Sequence, residues 1–183
     1  MTSIIKVDEI QNKSGTTAIT IDSSGRILQP AKPAFKMEFQ NPSPSAANYS
    51  SAYHYFLPDT MVFNVGNHAE ITGTKGQFTC PVNGIYYFSY CINFSSGNSS
   101  GYLDVHMLKN NELLGGGTAA GGSNIDTSVR YLEDVQGGTY QSGVNNGLLQ
   151  LSANDVICLE FVLVNDTSAT LRDGSFFQGF LVS

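Results

Sequence analysis

The sequence predicts an all-β chain: an antiparallel sandwich of jelly-roll type behind a short β-rich N-terminal arm. Three observations carry that expectation. Apolar and polar residues alternate over segment after segment, no 3.6-residue period of useful length competes, and clusters of Gly, Pro, Asn and Ser separate the segments. Many short strands joined by such turns belong to two packed sheets rather than to a helix bundle. A chain of 183 residues holds one domain plus an arm and can bury a sizeable core without staples.

Residues 1–29 read as the arm. Ile4, Ile5, Val7 and Ile10 lead into the turn Ser14-Gly15-Thr16, Ile19 and Ile21 alternate with Thr20 and Asp22, and Ser23-Ser24-Gly25 marks a second turn. So short a segment cannot hold a core alone, and these isoleucines are expected to gain order against sister chains or a docking partner. Residues 30–33, Pro30-Ala31-Lys32-Pro33, form a stiff linker because proline fixes φ.

The head spans 34–183. Its first strand alternates Phe35, Met37 and Phe39 against Lys36 and Glu38, and a long irregular loop with three prolines follows to Thr60. Met61-Val62-Phe63-Asn64 and Ala69-Glu70-Ile71 are short edge pieces, and Phe78 opens the next strand. Residues 84–94 are the organising element. Tyr86, Phe88, Tyr90, Ile92 and Phe94 share one parity while Ile85, Tyr87 and Cys91 share the other, so this strand is apolar on both faces and is expected to be covered twice. One cover is a second sheet of the same chain, and a neighbouring subunit is the candidate for the other. Leu103, Val105 and Met107 mark a half-buried strand, 127–135 a weaker one, and Leu148 to Leu151 another, with a loop bracketed by Gly137-Gly138 and Gly143 before it. Ile157, Leu159, Phe161 and Leu163 line one side of the next strand, and 175–183, with Phe177 and Phe180, form the last.

Composition narrows the function. Charged residues are only 13% of the chain, the net charge is −6, and the nine Lys and Arg are scattered, which excludes a nucleic-acid binder relying on clustered cations. No apolar run approaches a membrane span, and Met1 to Lys6 lacks the regions of a secretory signal, so neither membrane insertion nor use of the Asn-x-Ser/Thr sequons is expected. Cys80, Cys91 and Cys158 lie in or beside apolar strand patterns and read as buried free thiols.

Specific residues then resemble a known family, the C1q branch of the C1q/tumour-necrosis-factor-like trimeric jelly rolls. They are Gly76-Gln77-Phe78-Thr79-Cys80, Pro81-Val82-Asn83-Gly84, Gly84-Ile85-Tyr86-Tyr87-Phe88-Ser89-Tyr90, Leu108-Lys109-Asn110-Asn111-Glu112 and the closing Phe177-Gln178-Gly179-Phe180-Leu181. Asn111 stands where the family usually has Gly. The resemblance implies a homotrimer. Phe35, Phe78, Tyr86, Phe88, Tyr90, Phe161, Phe177 and Phe180 are then the expected core or trimer-axis residues, the two roles being left open. Ser3 to Gln11 with Gly15 to Ile27 resembles the leader of marine phage, especially cyanophage, tail-fibre and virion proteins. That second likeness implies that Ile4, Ile5, Val7, Ile10, Ile19 and Ile21 dock the chain to other virion structural proteins.

No catalytic constellation can be assembled. His54, His68 and His106 have no metal spacing, and the glycine runs at 115–117 and 121–122 lack the Lys-Ser/Thr of a phosphate loop. Asp155, Asp166 and Asp173 match no calcium loop and read as turn formers, so no metal or cofactor is expected. The far-end loops supply the candidate receptor-binding residues Tyr53, His54, Asn98, Tyr140, Asn145, Asp166, Arg172 and Asp173, because Tyr with Asn, Asp and Arg suits sugar rings. The expected function is a non-enzymatic virion structural protein, made in the host cytoplasm and carried on the extracellular particle, whose trimeric head contacts host surface glycans. The alternative is a secreted or surface carbohydrate-binding module unrelated to a virion.

Overall fold

The computed structural model describes residues 6–29, 31–40, 53–95, 101–110, 112–113, 131–134, 140–164 and 170–183. Every regular element among them is a strand. β1 (Glu9–Gln11), β2 (Thr17–Ile21) and β3 (Ile27–Leu28) form a small antiparallel sheet, with the cross-strand pair Ile10 and Ile19 at its centre. Its two turns share one chemistry. Asn12 Oδ1 accepts from the backbone N–H groups of Ser14 and Thr16, Asp22 Oδ1 accepts from those of Ser24 and Arg26, and Gly15 and Gly25 take positive φ. Val7, Ile10, Ile27 and Leu28 are exposed, as a segment too small to bury its own apolar residues requires. Ile4 and Ile5 lie outside the described residues.

The linker hands the chain to a two-sheet sandwich. One sheet runs in the order β13 (Tyr140–Leu151), β9 (Gly84–Ser95), β16 (Ser175–Leu181), β4 (Ala34–Phe39), β6 (Thr60–Val65), with β15 (Thr170–Leu171) beside β9. The other runs β11 (Glu112–Leu113), β10 (Tyr102–Lys109), β14 (Val156–Val164), β8 (Gly76–Thr79), β7 (Ala69–Ile71). β12 (Tyr131–Asp134) pairs with β10 and β5 (His54–Tyr55) with β14. All pairings are antiparallel, and the non-sequential strand order is that of a jelly roll. Of the strand expected at 127–135, the part within β12 is described and the rest lies outside.

The strand β13 corrects the sequence reading. Gly143 and its neighbours are not a loop: the strand starts at Tyr140 and pairs with β9 over twelve positions, from Tyr140 opposite Ser95 to Leu151 opposite Gly84. Glycine lowers strand propensity, which hid the segment. Here Gly143 lies opposite Ile92 and Gly147 opposite Phe88, so the missing side chains leave room for bulky partners in the core.

That core is aromatic. Phe35 stacks on Phe78 with centroids 4.8 Å apart and meets Phe177 edge-on at 5.0 Å, while Phe88 contacts Phe177 at 5.9 Å. Phe35, Phe78, Tyr86, Phe88, Tyr90, Phe161 and Phe177 are all fully enclosed between the sheets of one chain, whereas Phe180 points outward and is 45% exposed. The tyrosine hydroxyls find their partners inside the chain too. Tyr86 donates to Val82 O at 2.8 Å and Tyr90 bonds Asn145, and burial pushes both phenols up. Gly179 shows why the closing motif needs glycine: a Cβ there would lie 2.5 Å from the Phe88 ring and 2.9 Å from Tyr87 O. Cys80, Cys91 and Cys158 are buried and unbridged, and burial pushes Cys80 up to about 12 and Cys158 up to about 11.

Candidate binding surface on the β9 sheet

Strand parity sorts the β9 sheet into an inner and an outer face, and the outer face is built in rows. Tyr87 lies opposite Leu148 on one side and Phe180 on the other, giving a three-strand apolar row whose rings Tyr87 and Phe180 are 5.2 Å apart. Leu148 is 63% and Ile85, next to this row, 40% exposed. The following row is polar: Asn146, Ser89 and Gln178, with Gln178 Nε2 donating to Ser89 Oγ at 2.9 Å. Lys36, opposite Gln178, pairs with Glu38 and lies over the Phe176 ring. Val144, Cys91 and Phe176 form a second apolar row, and beyond it Ser142 faces Asn93.

The far end of this face is polar and tightly wired. Asn93 organises it: its backbone N–H donates to Ser175 Oγ at 2.9 Å, its amide nitrogen donates to Asp173 O at 3.2 Å, and its amide oxygen accepts from Ser142 Oγ at 2.6 Å. Arg172 N donates to Asn93 O at 2.8 Å, and Ser175 Oγ donates to Arg172 O at 2.8 Å. These bonds fix the Arg172 backbone beside β9, and its guanidinium carbon sits 5.0 Å from the centroid of the Tyr140 ring. The result is a cleft of about 190 Å³ lined by Asn93, Tyr140, Gln141, Ser142, Arg172 and Asp173. Tyr140 is 75% exposed at its rim. A larger cavity of about 460 Å³ lies at the opposite end among Ala18, Lys32, Pro33, Pro81, Val82 and Leu181; it holds none of the residues the sequence reading selected for binding.

Of those residues, the structure brings together Tyr140, Arg172 and Asp173. Tyr53 and His54 lie on the other sheet, with rings 5.4 Å from His106 and 6.4 Å from Phe161 respectively. Asn145 turns toward the buried Tyr90 hydroxyl, and Asn98 and Asp166 fall outside the described residues. Asn93 and Ser142 were missed. Asn93 lies inside the strand that carries the aromatic stripe and so carried no binding signal of its own, and Ser142 sits in the part of β13 read as a loop.

The outer face of the other sheet is different chemistry. Asp104, His106 and Glu160 are 2–3% exposed. His106 Nδ1 lies 3.3 Å from Glu160 Oε1, and Nε2 lies 2.9 Å from Asp104 Oδ1 but off the N–H direction, an ion pair rather than an aligned hydrogen bond. Burial disfavours charge on the imidazole, yet the two carboxylates outweigh it and hold His106 above its ordinary value. Asp155 is engaged by Lys109 Nζ at 2.9 Å, Ser152 N at 2.8 Å and Asn110 Nδ2 at 3.0 Å, the role of a turn former. Among the described residues no group of three or more His, Cys, Asp or Glu could hold a metal ion.

Comparison with known proteins agrees with this architecture. The model of the C1q domain family matches residues 34–182. Among solved structures, the globular domain of the zebrafish complement 1qA protein is similar at 19% identity and a TM-score of 0.57, covering 83% of this chain and 98% of that one. Murine APRIL at pH 8.5 is similar at 13% identity and a TM-score of 0.52, covering 82% of this chain and 99% of that one.

Proposed function

The chain belongs to the C1q domain family, and from that premise we propose that it is the homotrimeric, non-enzymatic head of a virion structural protein, a phage fibre or decoration protein. Folds of the C1q and tumour-necrosis-factor type are generally binding modules rather than enzymes, and their members form homotrimers. The observation that carries the reading is the uncovered row Leu148, Tyr87 and Phe180 with Ile85 beside it. Exposed apolar side chains contiguous across three strands mark an interaction face, and threefold rotation closes such a face into a ring without leaving a free copy. Residues 1–29 dock the assembly to other virion proteins, supported by the exposed Val7, Ile10, Ile27 and Leu28 and by the likeness of this segment to phage leaders. The far end of the head then faces host surface glycans.

Light scattering of the full chain tests the trimer: the expected mass is three times 19.7 kDa, and a stable monomer at micromolar concentration overturns it. Deleting residues 1–29 tests the virion role, with incorporation into particles lost while the head remains folded. A second reading, a secreted or surface carbohydrate-binding module, is favoured by one observation: the family match begins at residue 34 and so needs nothing from the arm. Under that reading the deletion leaves every function intact.

A further inference from the structure

We infer that the cleft at Tyr140 and Arg172 is a binding site for the carboxylate of a hexuronic acid residue in a polysaccharide, an inference that rests on the head being a glycan-facing module. The first support is a guanidinium with no carboxylate partner among the described residues. Among the described residues of the linker and head, Lys36 pairs with Glu38 and Lys109 with Asp155, Lys32 donates to Val182 O at 2.9 Å, and Lys75 Nζ lies 5.0 Å from the centroid of the Tyr55 ring. Arg172 forms no ion pair with a described carboxylate, although Asp173 is its neighbour in sequence, and is held instead over the Tyr140 ring. A guanidinium lying over an aromatic ring keeps N–H donors free at its edge, and their fork matches a carboxylate in two parallel bonds.

The second support is preorganisation. Asn93 holds Arg172, Asp173 and Ser142 at once through the bonds given above, so the cleft is set before a ligand arrives. The third is shape. One side of the Tyr140 ring is taken by the guanidinium, and its 75% exposure leaves apolar ring surface against which the C–H face of a pyranose can lie. A cleft of about 190 Å³ is below the roughly 300–1,000 Å³ that accommodates drug-sized ligands, and so suits one sugar ring. Three such clefts on one trimer would act together on a repeating chain.

The test compares galacturonic acid with galactose, and polygalacturonate with poly-L-glutamate, on the full chain. Chemical-shift changes at residues around Arg172 on adding galacturonic acid but not galactose are expected, and binding to polygalacturonate should exceed that to poly-L-glutamate. Arg172→Gln should weaken polygalacturonate binding at least about tenfold, Arg172→Lys should weaken it less because charge stays while the fork is lost, and Tyr140→Ala should weaken it where Tyr140→Phe does not. Equal response to galactose, equal capture of poly-L-glutamate, or unchanged binding by Arg172→Gln overturns the assignment. Mass measured on the same samples separates the two readings. A trimer that ignores galacturonic acid removes this site alone, whereas a monomer that binds it through Arg172 removes the trimer alone.

Discussion

The two sheets of the sandwich obey the same alternation rule and present opposite outer faces. On β10 and β14 the outward residues Asp104, His106, Leu108, Cys158, Glu160 and Val162 are all buried, ion pairs included. On β9, β13 and β16 the outward residues include Ile85, Leu148, Val144 and Phe180, all exposed. The charged face is enclosed and the apolar face is open. Polarity of the side chains therefore does not tell which face is solvated. What decides is whether the chain itself supplies a cover, and an apolar face without one is available for another molecule.

The strongest way to break this comparison is to remove His106. Its loss leaves Asp104 and Glu160 enclosed without a cation, and breaking a buried charge cluster by deleting one partner costs about 3–5 kcal/mol. His106→Ala should thus lower the denaturation midpoint severely, while a joint replacement of Asp104, His106 and Glu160 by apolar residues should recover much of the loss. If His106→Ala behaves like a surface substitution, the face is not enclosed. The same residue sets a pH dependence. Its pKa is raised from 6.5 in the folded chain, so its stabilising contribution is fully present below about 6.5 and is lost as pH rises through the higher folded value. Melting temperature should fall as pH rises above about 6.5 in the wild type and more weakly in His106→Gln.

Substitutions in the shared core give the scale between the faces. Gly179→Ala drives a methyl group against the Phe88 ring and Tyr87 O, and overpacking of this kind costs about 1–3 kcal/mol, measurable by urea denaturation. Tyr86→Phe removes one satisfied hydroxyl while leaving Val82 O at the edge of the core, and should cost about 0.5–1.5 kcal/mol. A Tyr86→Phe effect larger than that of Gly179→Ala would mean that the close approach of β16 to β9 is looser than the 2.5 Å clearance implies.

The sequence exposed this architecture unevenly, for physical reasons. The stripe Tyr86, Phe88 and Tyr90 was legible because bulky apolar residues at period two have no other stable home. The second apolar face of this strand was legible but its neighbours were not: parity flags Ile85 and Tyr87, yet nothing in β9 itself says that Leu148 and Phe180 flank Tyr87. That needed β13, whose glycines argue locally for a loop although Gly143 and Gly147 lie opposite Ile92 and Phe88 in one continuous pairing. The same stretch holds Gln141 and Ser142, which line the cleft beside Tyr140 and carried no binding signal in the sequence. The half-buried alternation of Leu103, Val105 and Met107 does not reveal that the opposite face, with Asp104, His106 and Glu160, is covered as well.

The smallest expected effect on the fold is the most informative about the comparison. Leu148→Glu puts a charge in the middle of the open apolar row, where the side chain is 63% exposed. A substitution at an exposed position changes the fold itself by within about 0.5 kcal/mol, whereas a charge at the enclosed Val162 of the opposite face has no water to retain. Near-UV circular dichroism should therefore stay native in Leu148→Glu and collapse in Val162→Glu. Assembly should respond the other way: Leu148→Glu should lower the measured mass to that of one chain and make the melting temperature independent of concentration, since stability borrowed from association depends on dilution. Should Leu148→Glu keep the trimer, the open row is ordinary solvated surface and the two outer faces differ only in what lies over them. Loss of the trimer with an intact fold means that the open face is kept apolar for association, and that the pairing of Tyr87 with Leu148 and Phe180 is where sister chains meet.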